Sequence, residues 1–259
     1  MSHLRVTLVQ TDLAWQDPAA NRHALAEKLR PLAGSTDLIV LPEMFSTGFT
    51  MQPETQAEVA GGPTIEWLQE LAAALKVTIT GSVSTRDGNR CYNRLTWMRP
   101  DGTSDTYDKR HLFRMGREHE HYAGGEGRLI VELNGWRICP LVCYDLRFPV
   151  WSRNRSGTDY DLLIYVANWP ARRRYAWQTL LKARAIENLS YCIGVNRVGA
   201  DGQGIEHSGD SAALDYLGQP LMPESEQAFV QTVTLDRAGL DEHRRRFPAH
   251  LDADAFELK

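Results

Sequence analysis

Three side chains that could carry out covalent chemistry come directly after strand-like segments. Cys143 follows "WRICPLV", Glu43 follows "DLIVLP", and Lys109 closes the segment "SDTYDK". A cysteine can attack an electrophilic carbon, but a free thiol with a pKa of about 8.5 needs activation. A carboxylate can accept the thiol proton, and a lysine ammonium can favour the thiolate and then stabilise a developing oxyanion. The three residue types therefore form a coherent set for nucleophilic catalysis.

The positions of these residues suggest a shared site. In layered α/β folds, ligand sites lie beyond the carboxyl ends of strands, so Glu43 and Cys143 are expected to meet although 100 residues separate them. Asn168 ends another strand-like run, "DLLIYVA", and Lys109 could reach the same sheet end. Each residue also has an ordinary structural explanation: a small buried hydrophobe for the cysteine, a loop or capping residue for the glutamate, and a surface position for the lysine.

Strand and helix patterns alternate along the chain and would position this site. Alternating or short apolar runs predict strands in "LRVTLVQ", "DLIVLPE", "VTITGSV", "WRICPLVC", "DLLIYVAN" and "YCIGVNRV". The segments "YNRLTWMRPDGTSDTYDK" and "DSAALDYLGQPLM" are interpreted as hairpins. Apolar residues at helical spacing predict helices in "NRHALAEKLRPLA", capped by Asn21, in "PTIEWLQELAAAL", begun by Pro63, and in "RYAWQTLLKARAIENL". These elements indicate an α/β layered fold with mixed sheets.

One segment is weakly echoed later in the chain. "TDLIVLPE" at 36–43 resembles "YDLLIYVAN" at 160–168, at an offset of 124 residues, which is nearly half the chain. The echo indicates either two similar halves or chance, because buried strands draw on a small alphabet of residues.

The composition describes an ordinary globular chain. It has 259 residues, of which 42% are hydrophobic and 24% charged, and a formal net charge of −4. No long Gly/Ser- or Pro-rich linker divides it, so we expect one domain over residues 1–259. The mildly negative net charge provides no overall electrostatic attraction for nucleic acid or anionic lipid. The basic runs "ARRRYAW" and "HRRRF" are interpreted as solvated faces or helix ends.

The N-terminal segment and the cysteines predict a cytoplasmic protein. Polar residues interrupt the start, so it lacks the apolar run of about 7–15 residues found in signal peptides, and no run reaches the roughly 18 residues of a membrane span. Free thiols fit the cysteine pattern better than disulfides, since the chain is not cysteine-dense and has no C-x-x-C pair. The four cysteines are Cys91, Cys139, Cys143 and Cys192.

Two competing chemistries find less support. A Cys–His dyad could use His111, but no local signature of thiol proteases surrounds Cys143. The "HEH" segment would bring His119 and His121 to one face only on a strand, and a zinc site needs at least a third protein ligand. We therefore expect no metal and no other cofactor.

Three motifs resemble those of the nitrilase (carbon–nitrogen hydrolase) superfamily. They are "LIVLPEMFSTGF", "YDKRHLF" and "LVCYDLRFP", and their order and spacing also fit over nearly the whole chain. The resemblance implies a four-layer αββα sandwich with two mixed β-sheets, usually assembled as a homodimer or larger homo-oligomer. "VWSRNR" is a candidate contact segment, since Trp and Arg are enriched at interfaces.

The resemblance also implies roles for individual residues. Glu43 would be the general base, Lys109 the oxyanion stabiliser and Cys143 the nucleophile. The sharp exit from the strand would expose the sulfur and leave the backbone N–H of Tyr144 free for the oxyanion. Family members often carry a second glutamate between the lysine and cysteine motifs, and Glu118 is the preferred match, with Glu120 as the alternative.

The wording of the motifs looks most like the omega-amidase branch, whose members remove ammonia from ω-amides of 2-oxo dicarboxylic acids such as 2-oxoglutaramate and 2-oxosuccinamate. The partners implied are a small amide and water. The alternatives are a general aliphatic amidase, a nitrilase, a carbamoylase or a catalytically degenerate binding module. The remote carboxylate of such a substrate needs a cation, for which Arg147 and Arg173, with neighbouring Arg174, are candidates. Arg147 could instead pair with Asp145, and Asn168 is a further candidate for substrate binding.

Overall fold

The computed structural model of the chain describes residues 2–155 and 159–257. Within this part the strands are, in chain order, β1 (His3–Gln10), β2 (Leu38–Val40), β3 (Glu58–Val59), β4 (Thr78–Asp87), β5 (Arg90–Met98), β6 (Ser104–Asp108), β7 (Val131–Leu133), β8 (Trp136–Val142), β9 (Leu162–Ala167), β10 (Tyr191–Asn196), β11 (Val198–Ala200), β12 (Glu206–Ser208), β13 (Ala212–Leu214) and β14 (Phe229–Asp236). The α-helices are α1 (Pro18–Leu29), α2 (Pro53–Gln56), α3 (Pro63–Leu75), α4 (Glu118–His121), α5 (Pro149–Ser152), α6 (Arg174–Asn188) and α7 (Arg237–Arg246).

The strands form two large mixed sheets and a small hairpin. The first sheet has the order β14-β1-β2-β4-β5-β6, with β3 beside β4, and the second has the order β13-β10-β9-β8-β7. Parallel pairing joins β1, β2 and β4 in the first sheet and β8, β9 and β10 in the second, whereas the hairpins pair antiparallel. The strands β11 and β12 form a separate antiparallel pair.

The period of two along the strands divides the core into layers. In β1, Leu4, Val6 and Leu8 belong to the apolar cluster that joins the two sheets, whereas Val9 packs on the opposite face with Leu25 of α1. The helices α1 and α3 cover the first sheet, and α6 covers the second through buried residues that include Trp177 and Leu181. This order of helix, sheet, sheet and helix is the predicted four-layer αββα sandwich. None of the helices in the described part combines the length and apolarity needed to cross a membrane.

The predicted strands and helices are present, although the second predicted hairpin consists of β13 and a single bridge between Leu214 and Pro220. One predicted cap is wrong, and several further elements were not predicted. Asn21 lies inside α1, where its side chain bonds to backbone groups of Ala14 and Ser46, and Asp17 caps the helix instead. The strand β14 and the helix α7 were not predicted. The run "HRRRF" does end α7, but Arg244 within it is 8% exposed and forms an ion pair with Asp161, so this part of the run is not a solvated face.

The echo between the two halves corresponds to equivalent strands. Asp37 before β2 donates its N–H to the carbonyl of Arg5 and accepts the Arg5 N–H on its side chain. Asp161 before β9 makes the same two bonds with Arg137. Because β2 and β9 both lie inside their sheets between parallel neighbours, the structure favours two similar halves over chance.

Candidate active site

The cysteine lies at a strained turn between a strand and a short helix. β8 ends at Val142, Cys143 has a φ of 44°, and residues Cys143–Arg147 form a 3₁₀ helix. A positive φ is costly for a side chain with a Cβ atom and persists only where the surroundings enforce it. The residue is 8% exposed, and the N–H groups of the first 3₁₀ turn, including that of Tyr144, have no acceptor within the helix.

A buried ammonium joins two carboxylates next to the cysteine. The Lys109 Nζ donates to Glu43 Oε1 at 2.9 Å and to both oxygens of Glu118, at 3.0 and 2.9 Å. All three side chains are 0% exposed. Glu118 also accepts the N–H of Phe113 at 2.6 Å, and the ammonium lies 5.1 Å from the centre of the Phe49 ring. Such burial is tolerated because the charges pair and each is hydrogen-bonded.

Two asparagines fix the carboxylates. Asn93 Nδ2 donates to Oε1 of Glu43 at 2.7 Å and to Oε1 of Glu118 at 3.2 Å. The backbone N–H of Asn168 donates to Glu43 Oε2 at 2.8 Å. Asn93 was not predicted as a site residue, although its position carries a signal. It alternates with the buried Leu95 and Trp97 on the same face of β5, where a polar side chain needs a partner.

The pKa shifts follow from burial and from these neighbours. Burial raises the pKa of the Cys143 thiol, and the charge of Glu43 and a hydrogen bond to it raise the pKa further, more than Lys109 lowers it. Burial lowers the pKa of Lys109, but Glu118 and Glu43 outweigh burial, so the pKa is raised and the ammonium is kept. Burial raises the pKa of Glu118 despite Lys109. Lys109 favours the thiolate, as expected, but burial and Glu43 have the larger effect on the pKa, so the resting cysteine is a thiol.

A third buried carboxylate connects the cysteine turn to the lysine segment. Asp145 accepts the Val142 N–H at 3.1 Å and the Tyr107 hydroxyl at 2.7 Å. Its other oxygen accepts the backbone N–H of His111 at 3.0 Å and lies 2.8 Å from Nδ1 of the same residue. Because His111 and Lys109 share one segment, this carboxylate links the position of Lys109 to that of Cys143. The Nδ1 atom of His111 thus faces Asp145, which is a structural contact beside the site.

A cavity of about 210 Å³ opens at the cysteine. Its lining combines aromatic and basic side chains, which are Phe49, Phe113, Trp169, Arg147, Arg172 and Arg173, with Tyr144, Asn168 and His207. Arg147 stacks over Trp169 with its guanidinium 5.0 Å from the ring centre, and Arg173 lies 5.1 Å from that of Phe113. The predicted Arg147, Asn168 and Arg173 therefore all lie at the cavity, whereas Arg174 pairs with Asp210 and Glu226.

The family model for carbon–nitrogen hydrolases matches residues 5–245. The chain belongs to the carbon–nitrogen hydrolase family. It is thus a hydrolase that acts on carbon–nitrogen bonds in linear amides, and the resemblance drawn from the three motifs is confirmed.

Curated relatives and a solved structure narrow the branch. The chain is 47% identical over 259 residues to omega-amidase YafV of Escherichia coli (strain K12), with all of both chains covered. It is 29% identical over 250 residues to the 2-oxoglutaramate amidase of Bacillus subtilis (strain 168), covering 95% of this chain and 96% of the relative. The crystal structure of XC1258 from Xanthomonas campestris, a CN-hydrolase superfamily protein with an arsenic adduct in the active site, superposes with a TM-score of 0.98 at 52% identity over all of both chains.

The structure decides between alternatives that the sequence left open. Glu118 joins Lys109, whereas Glu120 is exposed and pairs with Arg117. The "HEH" segment forms α4, so the strand geometry that a shared histidine face requires is absent there. No group of three His, Cys, Asp or Glu side chains in the described ranges is arranged to hold a metal ion.

Arg147 does not pair with Asp145, and the tryptophan of "VWSRNR" is buried. The oxygens of Asp145 are occupied by other donors and Arg147 faces the cavity, so the alternative pairing of these two residues is wrong. Trp151 is 6% exposed and donates to the Tyr107 hydroxyl, so the aromatic group of "VWSRNR" is not available for a contact between subunits.

Proposed function

We propose that the chain is an omega-amidase, which hydrolyses the ω-amide of 2-oxo dicarboxylic acids such as 2-oxoglutaramate or 2-oxosuccinamate. The names of the relatives in Escherichia coli and Bacillus subtilis support this substrate class. The observation that carries the proposal is the charge at the cavity. A cavity that presents unpaired guanidinium groups close to a nucleophile suits an amide with a carboxylate at its far end.

The guanidinium groups of Arg147 and Arg173 contact aromatic rings and have no carboxylate within ion-pair distance in the described part of the chain. Burial lowers the pKa of Arg173, and the neighbouring charges of Arg172 and Arg147 lower it further. An incoming carboxylate would relieve this repulsion and could accept two parallel N–H bonds from one planar fork. The carboxylate of Asp201, also at the cavity, accepts the N–H groups of its own turn.

In this proposal Glu43 is the general base and Cys143 the nucleophile. The thiol is protonated at rest, so its proton passes to Glu43 while the sulfur bonds to the amide carbon. Lys109 Nζ and the backbone N–H of Tyr144 stabilise the negative charge that develops on the amide oxygen. The carbon–nitrogen bond then breaks, Glu43 returns the proton to the nitrogen, and ammonia leaves a thioester on Cys143.

The second half of the reaction reverses these proton transfers. Water attacks the thioester carbon and gives a proton to Glu43. The carbon–sulfur bond breaks, the sulfur recovers the proton, and the 2-oxo dicarboxylic acid leaves. Glu118 acts through Lys109, because both of its oxygens accept hydrogen bonds from the ammonium that also donates to Glu43. No cofactor takes part in any of these steps.

The proposal also covers the setting of the enzyme. We infer a single hydrolase domain and a homodimer, which sedimentation at micromolar concentrations would test, since a monomer throughout would contradict it. We also infer a cytoplasmic location, which the four free cysteines support.

The test compares ω-amides that differ only at the remote carboxylate. Purified enzyme is given 2-oxoglutaramate and a neutral amide of equal length, and ammonia release is measured. We expect Arg147→Met to raise KM for the charged amide about 10- to 100-fold, the usual worth of a hydrogen bond to a charged group, and to leave the neutral amide little changed. Arg174→Met is the matched control, because its partners lie outside the cavity.

Three outcomes would separate the alternatives. Equal kcat/KM for the charged and neutral amides in the unmodified enzyme would overturn the omega-amidase assignment and favour a general aliphatic amidase. Activity on nitriles or carbamoyl amino acids instead would favour those branches. No ammonia from any of them would favour a degenerate binding module.

A further inference from the structure

The side chain of Asn168 is held in a single orientation. Its backbone N–H donates to Glu43 Oε2 at 2.8 Å, and its Nδ2 donates to the backbone carbonyl of Glu43. Turning the amide by 180° would set Oδ1 against that carbonyl, where two acceptors would face each other. The Nδ2 group therefore points to Glu43, and Oδ1 is fixed as a hydrogen-bond acceptor on the other side.

This acceptor has no partner among the described residues. The Asn168 Oδ1 atom is buried without a hydrogen bond, and the residue as a whole is 5% exposed. A buried amide oxygen without a donor costs free energy, and most such atoms in native proteins are satisfied. Asn168 lines the cavity together with Cys143 and Tyr144, so a substrate bound there can supply the donor.

The chemistry of the substrate decides which group this donor is. In an ω-amide of a 2-oxo acid, the carboxylate and the keto oxygen only accept hydrogen bonds, and the amide NH₂ is the one donor group. We propose that Asn168 Oδ1 accepts an N–H of the scissile amide and thereby selects amides over acyl compounds without an N–H. The proposal rests on the amide hydrolysis proposed above and adds the atom that recognises the leaving group.

This contact gives the site a preference for amides over esters, which the nucleophilic chemistry of Cys143 alone would not supply. A methyl ester presents only acceptors to Asn168 Oδ1, so binding it leaves the amide oxygen unpaired. The carboxylate formed by hydrolysis presents acceptors and a negative charge at the same place. The site therefore favours the amide over an ester and over the product acid.

The kinetic test compares an ω-amide with its ω-methyl ester. We expect Asn168→Ala to lower the ratio of kcat/KM for amide over ester about 10- to 100-fold, the usual discrimination when one buried polar partner is lost. Loss of the bond to Glu43 would lower both rates, but it would leave the ratio unchanged. Asn196→Ala is the control. Asn196 makes two hydrogen bonds to the backbone of Trp169, the residue after Asn168, and plays no part in the proposed contact with the substrate amide.

A binding measurement keeps the proposal testable if Asn168→Ala turns over too slowly. In Cys143→Ala protein, calorimetry would compare the ω-amide with the methyl ketone of the same shape, in which CH₃ replaces NH₂. The amide should bind about 10- to 100-fold more tightly, and adding Asn168→Ala should remove the difference. Equal affinities in Cys143→Ala protein, or an amide-to-ester ratio that Asn168→Ala does not change, would overturn the contact. If the unmodified enzyme hydrolyses no ω-amide, the proposed function fails first.

Discussion

Replacing Lys109 by methionine should make the stability of the protein strongly dependent on pH. The ammonium lies between Glu43 and Glu118, and methionine keeps most of its length without the charge. The two carboxylates would then share one buried site, held together by Asn93, which donates to both. Two adjacent buried carboxylates cannot both remain ionised, so one takes up a proton.

The cost of that proton sets the size of the effect. The usual glutamate pKa of about 4.3 lies about 2.7 pH units below pH 7. Protonating one glutamate at pH 7 therefore costs about 3.7 kcal/mol, at about 1.36 kcal/mol per pH unit. Burial already raises the pKa of Glu118 in the unmodified protein, so the additional loss at pH 7 is smaller than this figure. A carboxyl group whose folded pKa is raised destabilises the folded state increasingly as pH rises, so the deficit should grow from about pH 5 to pH 8.

Urea unfolding followed by tryptophan fluorescence would measure this deficit at several pH values. The double variant Lys109→Met/Glu118→Gln is the control, because removal of the second carboxylate removes the need for a proton. Its deficit should vary less with pH than that of the single variant, because a single buried carboxylate remains. A single variant with a constant deficit, or a double variant with the same pH dependence as the single one, would refute the reasoning. Ammonia release by Lys109→Met should fall at least about 100-fold, the scale for one lost oxyanion donor.

Three further predictions use other parts of the molecule. Cys143→Ala should abolish ammonia release with little change in stability, and mass spectrometry should find an electrophilic substrate analogue on Cys143; labelling of another cysteine would contradict the assignment. Asp145→Asn removes the charge that links the cysteine turn to the lysine segment, so kcat should fall about 10- to 100-fold with a smaller change in KM, and an unchanged kcat would remove this positioning role. Burial raises the pKa of Asp37, but hydrogen bonds from Arg5 lower it by more, so its contribution is present above about pH 4 and is lost as pH falls through the lower folded pKa. Urea unfolding should therefore show Asp37→Asn to be less stable than the unmodified protein at about pH 6 and equal to it at about pH 2, and a constant difference would contradict this.

The sequence alone predicts the parts of the site that depend on local pattern. Cys143, Glu43 and Asn168 each follow a short apolar run, and strand ends of that kind converge in layered folds. The hairpin that brings Lys109 back is marked by the turn at Pro100–Asp101–Gly102. These features can be predicted because they depend only on residues that are close together in the sequence.

The remaining features depend on contacts between distant segments. β14 pairs with β1 along its whole length although more than 200 residues separate the two strands, and no local signal announces that pairing. Arg147 could be interpreted as a partner of Asp145 because the two are close in sequence, yet Tyr107 and His111 occupy that carboxylate from another sheet. The orientation of Asn168 likewise depends on Glu43, which lies 125 residues earlier.

The division of the site between the two sheets has a consequence for folding. Asn93 lies on a strand of the first sheet, and Glu43 and Lys109 follow strands of that sheet. Cys143 and Asn168 follow strands of the second sheet. A chain in which only one sheet has formed therefore holds either a base without its nucleophile or a thiol without its base. Catalytic competence is acquired only when the two sheets dock, so during refolding activity should return no earlier than the interior between them closes. Catalytic activity therefore indicates that the two sheets have docked correctly, and a chain in which they have not docked correctly is inactive.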